Sequence, residues 1–228
     1  MDHADHVALL RSAVKPGGSW ADIGAGHGAF TLALADLLGP GGRIVAVDRD
    51  ARALRENERS VRARFPAVEL STFAADLGGP LDLPELDGLV AANSLHYIPR
   101  DRQVTVIRDL AAHLRPAGRF VVVEYDADRG NPWVPHPFSY PAWERLAEAA
   151  GLVGTRRIGR VPSRFLDAIY AAESRRPTEG AETAQPGPAL TSVSAAARSI
   201  GLTDASRGMG RQGTDFYRSR SSASASRS

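Results

Sequence analysis

Three glycines and two aspartates near the N-terminus have the types and spacing of a small-molecule site. Gly24, Gly26 and Gly28 stand at alternate positions just after Asp22, and Asp48 ends the next apolar run. Glycines lack a Cβ, so the backbone can bend sharply and approach a ligand closely. A carboxylate at a strand end can accept hydrogen bonds from ligand hydroxyl groups. The pattern therefore predicts a ligand crevice at a glycine turn.

The elements around these residues form a βαβ unit. Residues 19–23 read as a short strand, and residues 30–38 carry apolar side chains at helical spacing. Residues 44–47 are a continuous apolar run, typical of a strand buried on both faces of a parallel sheet. The glycine turn and Asp48 then follow the carboxyl ends of adjacent strands, where doubly wound sheets bind their ligands.

Strands and helices continue to alternate along the chain. Residues 68–73, 86–92 and 120–124 carry the patterns of three more strands. Apolar spacing predicts helices over residues 3–14, 51–65, 100–114 and 141–150. Residues 153–158 and 165–171 could form a closing antiparallel pair. This alternation predicts an α/β fold with a layered sheet.

The pattern resembles the class I S-adenosylmethionine-dependent methyltransferases, in particular the small methyltransferase-domain families whose substrate is unassigned. Their motif of an acid followed by x-G-x-G-x-G is matched by Asp22, Gly24, Gly26 and Gly28. DGLVAANSLHYI (87–98) and LRPAGRFVVVEYD (114–126) resemble the fourth strand with its loop and the fifth strand. The resemblance covers about residues 1–174. It implies a Rossmann-like, doubly wound, seven-stranded sheet that is mostly parallel with an antiparallel last strand and has helices on both faces.

The resemblance also implies S-adenosyl-L-methionine as the cofactor and assigns residues to it. Asp48 would accept hydrogen bonds from both ribose hydroxyls, Asp76 would contact the adenine amino group, and the Leu77 N–H would donate to the ring. The candidate cofactor residues are Asp22, Gly24, Ala25, Gly26, Gly28, Asp48, Arg49, Asp76, Leu77 and Asn93.

Three of these aspartates have alternative interpretations. Asp48 could instead cap the helix that follows it. Asp76 could be an ordinary loop acid. Asp22 could bind the ammonium group of the cofactor, directly or through water, or could only hold the glycine turn in place.

His96 and Glu124 are the candidate catalytic residues. His96 follows the predicted fourth strand and Glu124 ends the predicted fifth strand, so both lie at the ligand edge of the sheet. His96 could act as a general base, since its reference pKa is near neutrality. It could equally be a packed histidine beneath the substrate loop. Glu124 could face the substrate or cap the next segment. The scattered histidines show no close cluster, so no metal site is predicted.

The candidate substrate residues are Tyr97, Tyr125 and Trp133, although Tyr97 could also belong to the core. Trp133 lies in an irregular loop over residues 126–140 with His136, Phe138 and Tyr140. That loop could fold over the substrate as an apolar lid or form a satellite core. The segment Asn93-Ser94-Leu95-His96-Tyr97 differs from the Asn-Pro-Pro-Tyr type of motif, which disfavours a DNA base or glutamine as the acceptor.

Composition limits the class of protein. The chain has 228 residues and no cysteine, which excludes disulfides, thiolate metal sites and a cysteine nucleophile. No apolar run approaches ~20 residues and the N-terminus does not read as a signal peptide, so a soluble cytoplasmic protein is expected. We predict a methyltransferase domain over 1–174 and an Arg/Ser/Ala/Gly-rich tail over 175–228, largely disordered from Pro177 to Ser228.

Charge favours a small-molecule acceptor over nucleic acid. The net charge is +2, but residues 175–228 hold eight arginines and four acids, so the body to Ser174 is slightly acidic. Three other functions stay open: a NAD-type oxidoreductase, a non-catalytic nucleoside-binding domain, and an RNA methyltransferase that uses the basic tail. Ala29 stands where a nicotinamide site requires its third glycine, which disfavours the first. The acceptor atom and the oligomeric state are not indicated.

Overall fold

A mixed seven-stranded sheet organises the part of the chain that the structure describes. The structure is a computed structural model, and it describes residues 1–163, 165–166 and 168–178. The strands are β1 (Ser19–Ile23), β2 (Arg43–Asp48), β3 (Glu69–Ala74), β4 (Leu86–Ala92), β5 (Leu114–Tyr125), β6 (Val153–Pro162) and β7 (Ala168–Arg175). Their order is β3-β2-β1-β4-β5-β7-β6. Within this sheet β7 runs antiparallel to the other six strands. The predicted fold class is confirmed.

Helices cover both faces of the sheet. They are α1 (His3–Leu10), α2 (Ala29–Leu38), α3 (Ala51–Arg64), α4 (Arg100–Ala112) and α5 (Tyr140–Ala149). The first three pack on one face and the last two on the other. Among the residues described, no helix has both the length and the apolar character needed to cross a bilayer.

Strand β5 shows how the sequence divides between the two faces. Successive side chains of a strand point to opposite sides. Val121 and Val123 accordingly pack with α1, α2 and α3, whereas Phe120 and Val122 pack with α4 and α5. Burying each such side chain contributes about 1.5–3 kcal/mol. The apolar run over residues 120–123 is therefore held from both sides.

Strand register gathers the candidate residues at one end of the sheet. Ile23 at the end of β1 pairs with Val47 of β2 and with Ala91 of β4. The segments that follow these strands must therefore leave the sheet side by side. They carry the glycine turn, Asp48 and Asn93.

The observed elements depart from the predicted bounds in the middle of the chain and at both ends of the fold. β5 begins at Leu114, not at residue 120, so it includes the predicted turn over residues 116–118. The first helix ends at Leu10, not at residue 14. The last strand spans Ala168–Arg175 instead of 165–171, so Phe165 precedes it. Arg176 extends this pairing, because its N–H donates to the Gly118 carbonyl at 3.0 Å. Ordered pairing thus passes the expected domain end at 174. The predicted disordered tail lies, from residue 179 onward, outside the described residues.

Candidate active site

The glycine turn is held tightly between β2 and the loop after β4. The N–H groups of Gly24 and Ala25 donate to the Val47 carbonyl at 2.8 and 2.9 Å. Gly24 has φ +77°, and a Cβ on it would lie 2.3 Å from the Cβ of Ser94. Ser94 is fixed in turn, because its hydroxyl donates to the Ile23 carbonyl at 2.7 Å. A side chain at position 24 would therefore displace the loop after β4.

A cavity of about 370 Å³ lies at this end of the sheet. We call it the cofactor cavity. The predicted cofactor residues that line it are Gly24, Gly26, Asp48, Arg49, Asp76, Leu77 and Asn93. Its other lining residues were not predicted to bind the cofactor: His27, Asp50, Ala53, Ala75, Ser94, Tyr97 and Ile98. Backbone and carboxylate groups thus face one space from the ends of four strands.

Asp48 joins the glycine turn to the end of β2. Its Oδ2 accepts from the Gly26 N–H and its Oδ1 accepts from the Asp50 N–H, both at 2.8 Å. Asp50 is the N-cap of α3, and it accepts from the N–H groups of Arg52 and Ala53. The alternative that Asp48 caps this helix is therefore wrong. Each Asp48 oxygen keeps acceptor capacity for a ligand hydroxyl.

Asp76 uses its side chain to shape the loop after β3. Its Oδ1 accepts from the Gly78 N–H at 2.7 Å, which closes a local turn. The residue is exposed and lines the cofactor cavity beside Leu77. A hydrogen bond within the loop and a ligand contact are compatible, because a carboxylate accepts several hydrogen bonds.

Asp22 lies beneath the glycine turn and does not line the cofactor cavity. It is 1% exposed, and its Oδ2 accepts from the Thr31 hydroxyl at 2.6 Å. The Thr31 oxygen accepts in turn from Nδ2 of Asn57 at 2.7 Å. Burial raises the pKa of Asp22 to about 7, the Thr31 hydrogen bond opposes this, and the charge of Asp48 adds to it. The contacts favour the interpretation that Asp22 holds the turn.

Ala25 and Gly28 also fall outside the cofactor cavity. Ala25 packs in the core on the α1–α3 face. Gly28 begins α2 in a left-handed conformation, and a Cβ on it would lie 2.3 Å from Oδ1 of Asn57. Both residues shape the turn from its buried side, so their predicted contact with the cofactor stays a prediction.

His96 and Glu124 form a buried pair. Nδ1 of His96 lies 2.8 Å from Oε2 of Glu124. The backbone N–H of His96 donates to Oε1 of the same carboxylate at 3.3 Å. The side chains are 2% and 0% exposed. His96 sits in a single 3-10 turn after β4 (Leu95–Tyr97), while Glu124 is in β5. From the sequence, Glu124 was predicted to face the substrate or to cap the next segment. The structure instead shows that Glu124 contacts His96, and this contact fixes the orientation of the imidazole.

His96 borders a second cavity, which has a volume of about 500 Å³. We call it the aromatic cavity. Its lining residues are Asn93, His96, Tyr97, Tyr125, Asn131, Trp133, Val134 and Phe165. All three predicted substrate residues are among them. Tyr97 is 56% exposed, so the alternative that it belongs to the core is wrong.

Asn93 stands where the two cavities meet, because it lines both. Its φ is +50°, an uncommon conformation for a residue with a Cβ. Its N–H donates to the Val123 carbonyl at 2.8 Å, which holds the backbone in place. Oδ1 is buried and has no hydrogen-bond partner among the described residues. Backbone strain and an unpaired buried acceptor are features that concentrate at ligand sites.

The loop after β5 divides its aromatic residues between the core and the aromatic cavity. Phe138 is fully buried and stacks on Trp143 of α5. Tyr140 packs edge-on against Tyr170 of β7. Trp133, in contrast, is 76% exposed and lines the cavity. One end of the loop thus packs in the core and the other borders the cavity, and the lid alternative stays a prediction.

Gln103 is a supporting residue that sequence reasoning missed. It is buried in α4, and its Nε2 donates to the carbonyls of Ile98 and His136 at 3.3 and 2.9 Å. The His136 N–H donates to the His96 carbonyl at 3.0 Å. A glutamine on the inward face of an amphipathic helix could have pointed to a buried polar contact.

The cofactor cavity fits an adenosyl sulfonium in three respects. Asp48 offers free acceptor capacity at the end of β2. An ideal Cβ at Gly26 would meet no protein atom within 4 Å, so the turn leaves open space there. The unpaired Oδ1 of Asn93 is a buried acceptor for a donor group of the ligand.

Comparison with known proteins gives the same class of fold and domain. A family model described as a methyltransferase domain matches residues 21–120. The chain is similar to the ribosomal RNA small subunit methyltransferase H of Verminephrobacter eiseniae, with 32% identity over 118 residues. It is also similar to the demethylmenaquinone methyltransferase of Symbiobacterium thermophilum, with 30% identity over 129 residues. These matches cover 46% and 54% of this chain but only 35% and 47% of the relatives.

A solved structure matches over most of the chain. It is the Burkholderia thailandensis 1,6-didemethyltoxoflavin-N1-methyltransferase with bound 1,6-didemethyltoxoflavin and S-adenosylhomocysteine. The TM-score is 0.61 at 21% identity, and the match covers 77% of this chain and 78% of that one. At this identity the likeness is one of fold.

Proposed function

The chain contains a class I S-adenosylmethionine-dependent methyltransferase domain, and from that premise we propose that it transfers the methyl group of S-adenosylmethionine to a small-molecule acceptor. The domain class predicted from the sequence is confirmed, and it implies an enzyme that uses this cofactor. The observation that carries the proposal is the meeting of two cavities at Asn93 and Tyr97. One presents backbone and carboxylate groups, and the other is bordered by His96, whose imidazole Glu124 contacts.

Residues of the cofactor cavity would hold the donor by its polar groups. Asp48 would accept from the ribose hydroxyls, with each oxygen already oriented by one backbone N–H. Asp76 and Leu77 would receive the adenine at the end of β3. Gly24 and Gly26 would let the main chain pass beside the methionine portion. The family resemblance implies these roles, and the position of each group in the cavity supports them.

The chain's contribution to the reaction is orientation and proton removal. When bound, S-adenosylmethionine supplies a methyl group on a positively charged sulfur. In the neutral tautomer that donates from Nδ1 to the Glu124 carboxylate, Nε2 of His96 keeps a lone pair. Nε2 can therefore take the proton of an acceptor O–H or N–H group. Holding the acceptor beside the donor supplies much of the rate, since a fixed approach replaces a bimolecular encounter.

Titration calorimetry with S-adenosylmethionine and S-adenosylhomocysteine tests the proposal. Wild-type protein should bind both ligands. Asp48→Asn should weaken binding by about tenfold to a hundredfold, because ribose hydroxyls lose a charged acceptor worth ~1–3 kcal/mol. Asp82→Asn, which changes an exposed loop carboxylate outside both cavities, is the matched control. Absence of wild-type binding, or equal binding by the Asp48 variant, would contradict the proposal.

Titration with NADH separates this function from the predicted oxidoreductase alternative. The position of the third glycine is occupied by Ala29, the first residue of α2. In dinucleotide sites the third glycine allows close packing of the helix on the strand, so Ala29 departs from the all-glycine form of that pattern. We expect no saturable NADH binding. Saturable binding without affinity for S-adenosylmethionine would favour the oxidoreductase.

RNA is a second candidate acceptor, favoured by the similarity to the ribosomal RNA methyltransferase. The slightly acidic body opposes it, because RNA binding draws on a basic surface. Retention of RNA at low salt by the full chain and by a variant that lacks residues 177–228 is the deciding measurement. RNA retention lost on truncation, with S-adenosylhomocysteine binding unchanged, would favour this acceptor.

A further inference from the structure

The aromatic cavity has a composition that selects for one chemical class of ligand. Four aromatic residues border it: Tyr97, Tyr125, Trp133 and Phe165. Among its described lining residues none is Asp, Glu, Lys or Arg. Burial raises the pKa of Tyr125, with the charge of Glu124 adding to the effect, so this phenol stays neutral. A charged molecule would lose hydration there without gaining a counter-charge.

Two of these aromatic residues are unusually exposed for their size. Trp133 and Phe165 are 76% and 77% exposed, and they come from separate loops that border the same cavity. Large apolar side chains at the rim of a cavity gain stabilisation when a ligand covers them. Their convergence therefore indicates a flat apolar ligand surface.

Trp133 is also held in a defined position before any ligand binds. Oδ1 of Asn131 accepts from the N–H groups of Trp133 and Val134, both at 2.9 Å. Asn131 and Val134 also form a two-residue backbone bridge. The preceding Gly130 allows this tight turn, because a Cβ there would lie 2.3 Å from the Pro135 carbonyl oxygen. These contacts hold the backbone that carries Trp133, so ordering this part of the loop costs little entropy on binding.

We propose that the aromatic cavity is the acceptor subsite and takes an uncharged, planar aromatic molecule with a protic O–H or N–H group, which Trp133 and Phe165 cover. This inference rests on the proposed methyl transfer. The cavity of about 500 Å³ is large enough for one or two fused rings. Asn93 and Tyr97 line both cavities, so the reacting group of the acceptor can lie at their junction, beside the donor.

The position of His96 gives the chemical step its proton balance. The acceptor loses the proton of its O–H or N–H group to Nε2 of His96, and its oxygen or nitrogen bonds to the methyl carbon. The electron pair of the broken carbon–sulfur bond leaves with the neutral thioether product. The imidazolium, stabilised by Glu124 at 2.8 Å, returns its proton to water after the product leaves.

Tryptophan fluorescence measures occupancy of this subsite apart from turnover. The chain has three tryptophans, and Trp20 and Trp143 are 3% and 0% exposed. Quenching by an aromatic ligand in the cavity therefore reports mainly on Trp133. The probes are 2-naphthol and 8-hydroxyquinoline, added to protein saturated with S-adenosylhomocysteine. Ethanolamine and glycine serve as aliphatic, charged comparisons.

We expect both aromatic probes to bind and the aliphatic ones not to. Trp133→Ala and Phe165→Ala should each raise the aromatic Kd about tenfold or more, measured by calorimetry, while Trp133→Phe retains most of the affinity. Phe73→Ala, which removes an exposed ring of β3 outside the cavity, should leave the Kd unchanged. S-adenosylhomocysteine binding should be equal in all variants.

Failure of the proposed methyl transfer and failure of the acceptor subsite would give different experimental results. Wild-type protein that does not bind S-adenosylhomocysteine would overturn the proposed function. Protein that binds S-adenosylhomocysteine but neither aromatic probe, or whose probe affinity is unchanged in Trp133→Ala, would overturn the acceptor subsite alone. Methylation of the aliphatic probes with the same kcat/KM as the aromatic ones would also overturn it.

Discussion

Oε2 of Glu124 lies 2.8 Å from Nδ1 of His96, although the two residues are 28 positions apart. The second oxygen of the same carboxylate accepts from the His96 backbone N–H, so Glu124 fixes both the ring and the main chain of its partner. Both side chains are almost fully buried. A buried carboxylate is costly unless it is hydrogen-bonded, and His96 provides two of the hydrogen bonds that Glu124 needs.

Replacing His96 should impair the chemical step and leave cofactor binding intact. His96→Gln removes the group that takes the acceptor's proton, and we expect kcat to fall by about 10²–10⁴-fold. Steady-state kinetics with 2-naphthol and calorimetry with S-adenosylhomocysteine are the measurements. His113→Gln, at the end of α4 and outside both cavities, is the control. An unchanged kcat in His96→Gln would show that positioning alone suffices.

Glu124→Gln should lower kcat as well, because an amide can orient either imidazole nitrogen and cannot stabilise the imidazolium. The loss should appear in kcat with a smaller change in KM, since Glu124 does not line the aromatic cavity. A change confined to KM would argue that Glu124 serves only the shape of the site.

The buried carboxyl group of Asp22 should make the free energy of unfolding depend on pH. Its pKa is raised from 3.8 to about 7 in the folded state, mainly by burial. Between these values the folded chain binds a proton that the unfolded chain has released, so rising pH favours unfolding. The stabilisation is present below the unfolded pKa and is lost as pH rises through about 7. Its full size is on the order of 4 kcal/mol.

The variant Asp22→Asn isolates this effect, because the amide keeps an acceptor for the Thr31 hydroxyl and does not titrate. Chemical denaturation of both proteins from pH 5 to pH 8 gives the difference in free energy of unfolding. We expect this difference to shift in favour of the variant as pH rises. A difference that stays constant over that range would contradict a raised Asp22 pKa.

Ligand binding by the same variant separates the two predicted roles of Asp22. If Asp22 holds the turn, Asp22→Asn should affect S-adenosylhomocysteine and 5′-methylthioadenosine equally, since both need the turn. If it binds the ammonium group, only S-adenosylhomocysteine should weaken, because methylthioadenosine lacks the amino-acid portion. The buried hydrogen bond to Thr31 leads us to expect the first result.

The apolar pattern of the sequence was enough to predict which residues meet at the end of the sheet that carries the cofactor cavity. Apolar runs identified β1, β2 and β4, and in a parallel sheet the segments after neighbouring strands must meet. Gly24, Asp48 and Asn93 therefore could be placed together without knowledge of any side-chain contact. Asp22 and Gly28 were assigned to the ligand by motif alone, and the motif does not say which residues hold the turn from below.

The pairing of Glu124 with His96 was not predictable from either segment alone. It depends on how the turn after β4 lies over β5, which is a tertiary contact. A partial signal existed in the alternation of β5, where Glu124 falls on the same face as Phe120 and Val122. An acid on that buried face requires a polar partner. Phe165 was assigned to a strand because Phe165 and Leu166 are apolar and precede β7 closely. The position of Phe165 at the aromatic cavity was therefore missed.

Gln103 connects the 3-10 turn that carries His96 to the loop after β5, and its replacement should uncouple them. Its Nε2 bridges the Ile98 and His136 carbonyls, and the His136 N–H reaches the His96 carbonyl. Gln103→Leu would leave two carbonyls without their donor and should lower the free energy of unfolding by about 1–3 kcal/mol. It should also raise the Kd for 2-naphthol, because the loop that carries Trp133 loses its anchor.

A purely structural role for Gln103 would lower stability without changing the ligand affinities of the folded protein. Calorimetry below the unfolding transition therefore decides between the two roles, with S-adenosylhomocysteine and 2-naphthol titrated into the same sample. Weakening of 2-naphthol alone supports a positioning role, since Gln103 lies outside the cofactor cavity. Gln103→Glu, which keeps the length of the side chain but loses the amide donor when ionised, should reproduce the loss at pH 8. Retained 2-naphthol affinity in both variants would leave Gln103 as a residue of the core alone.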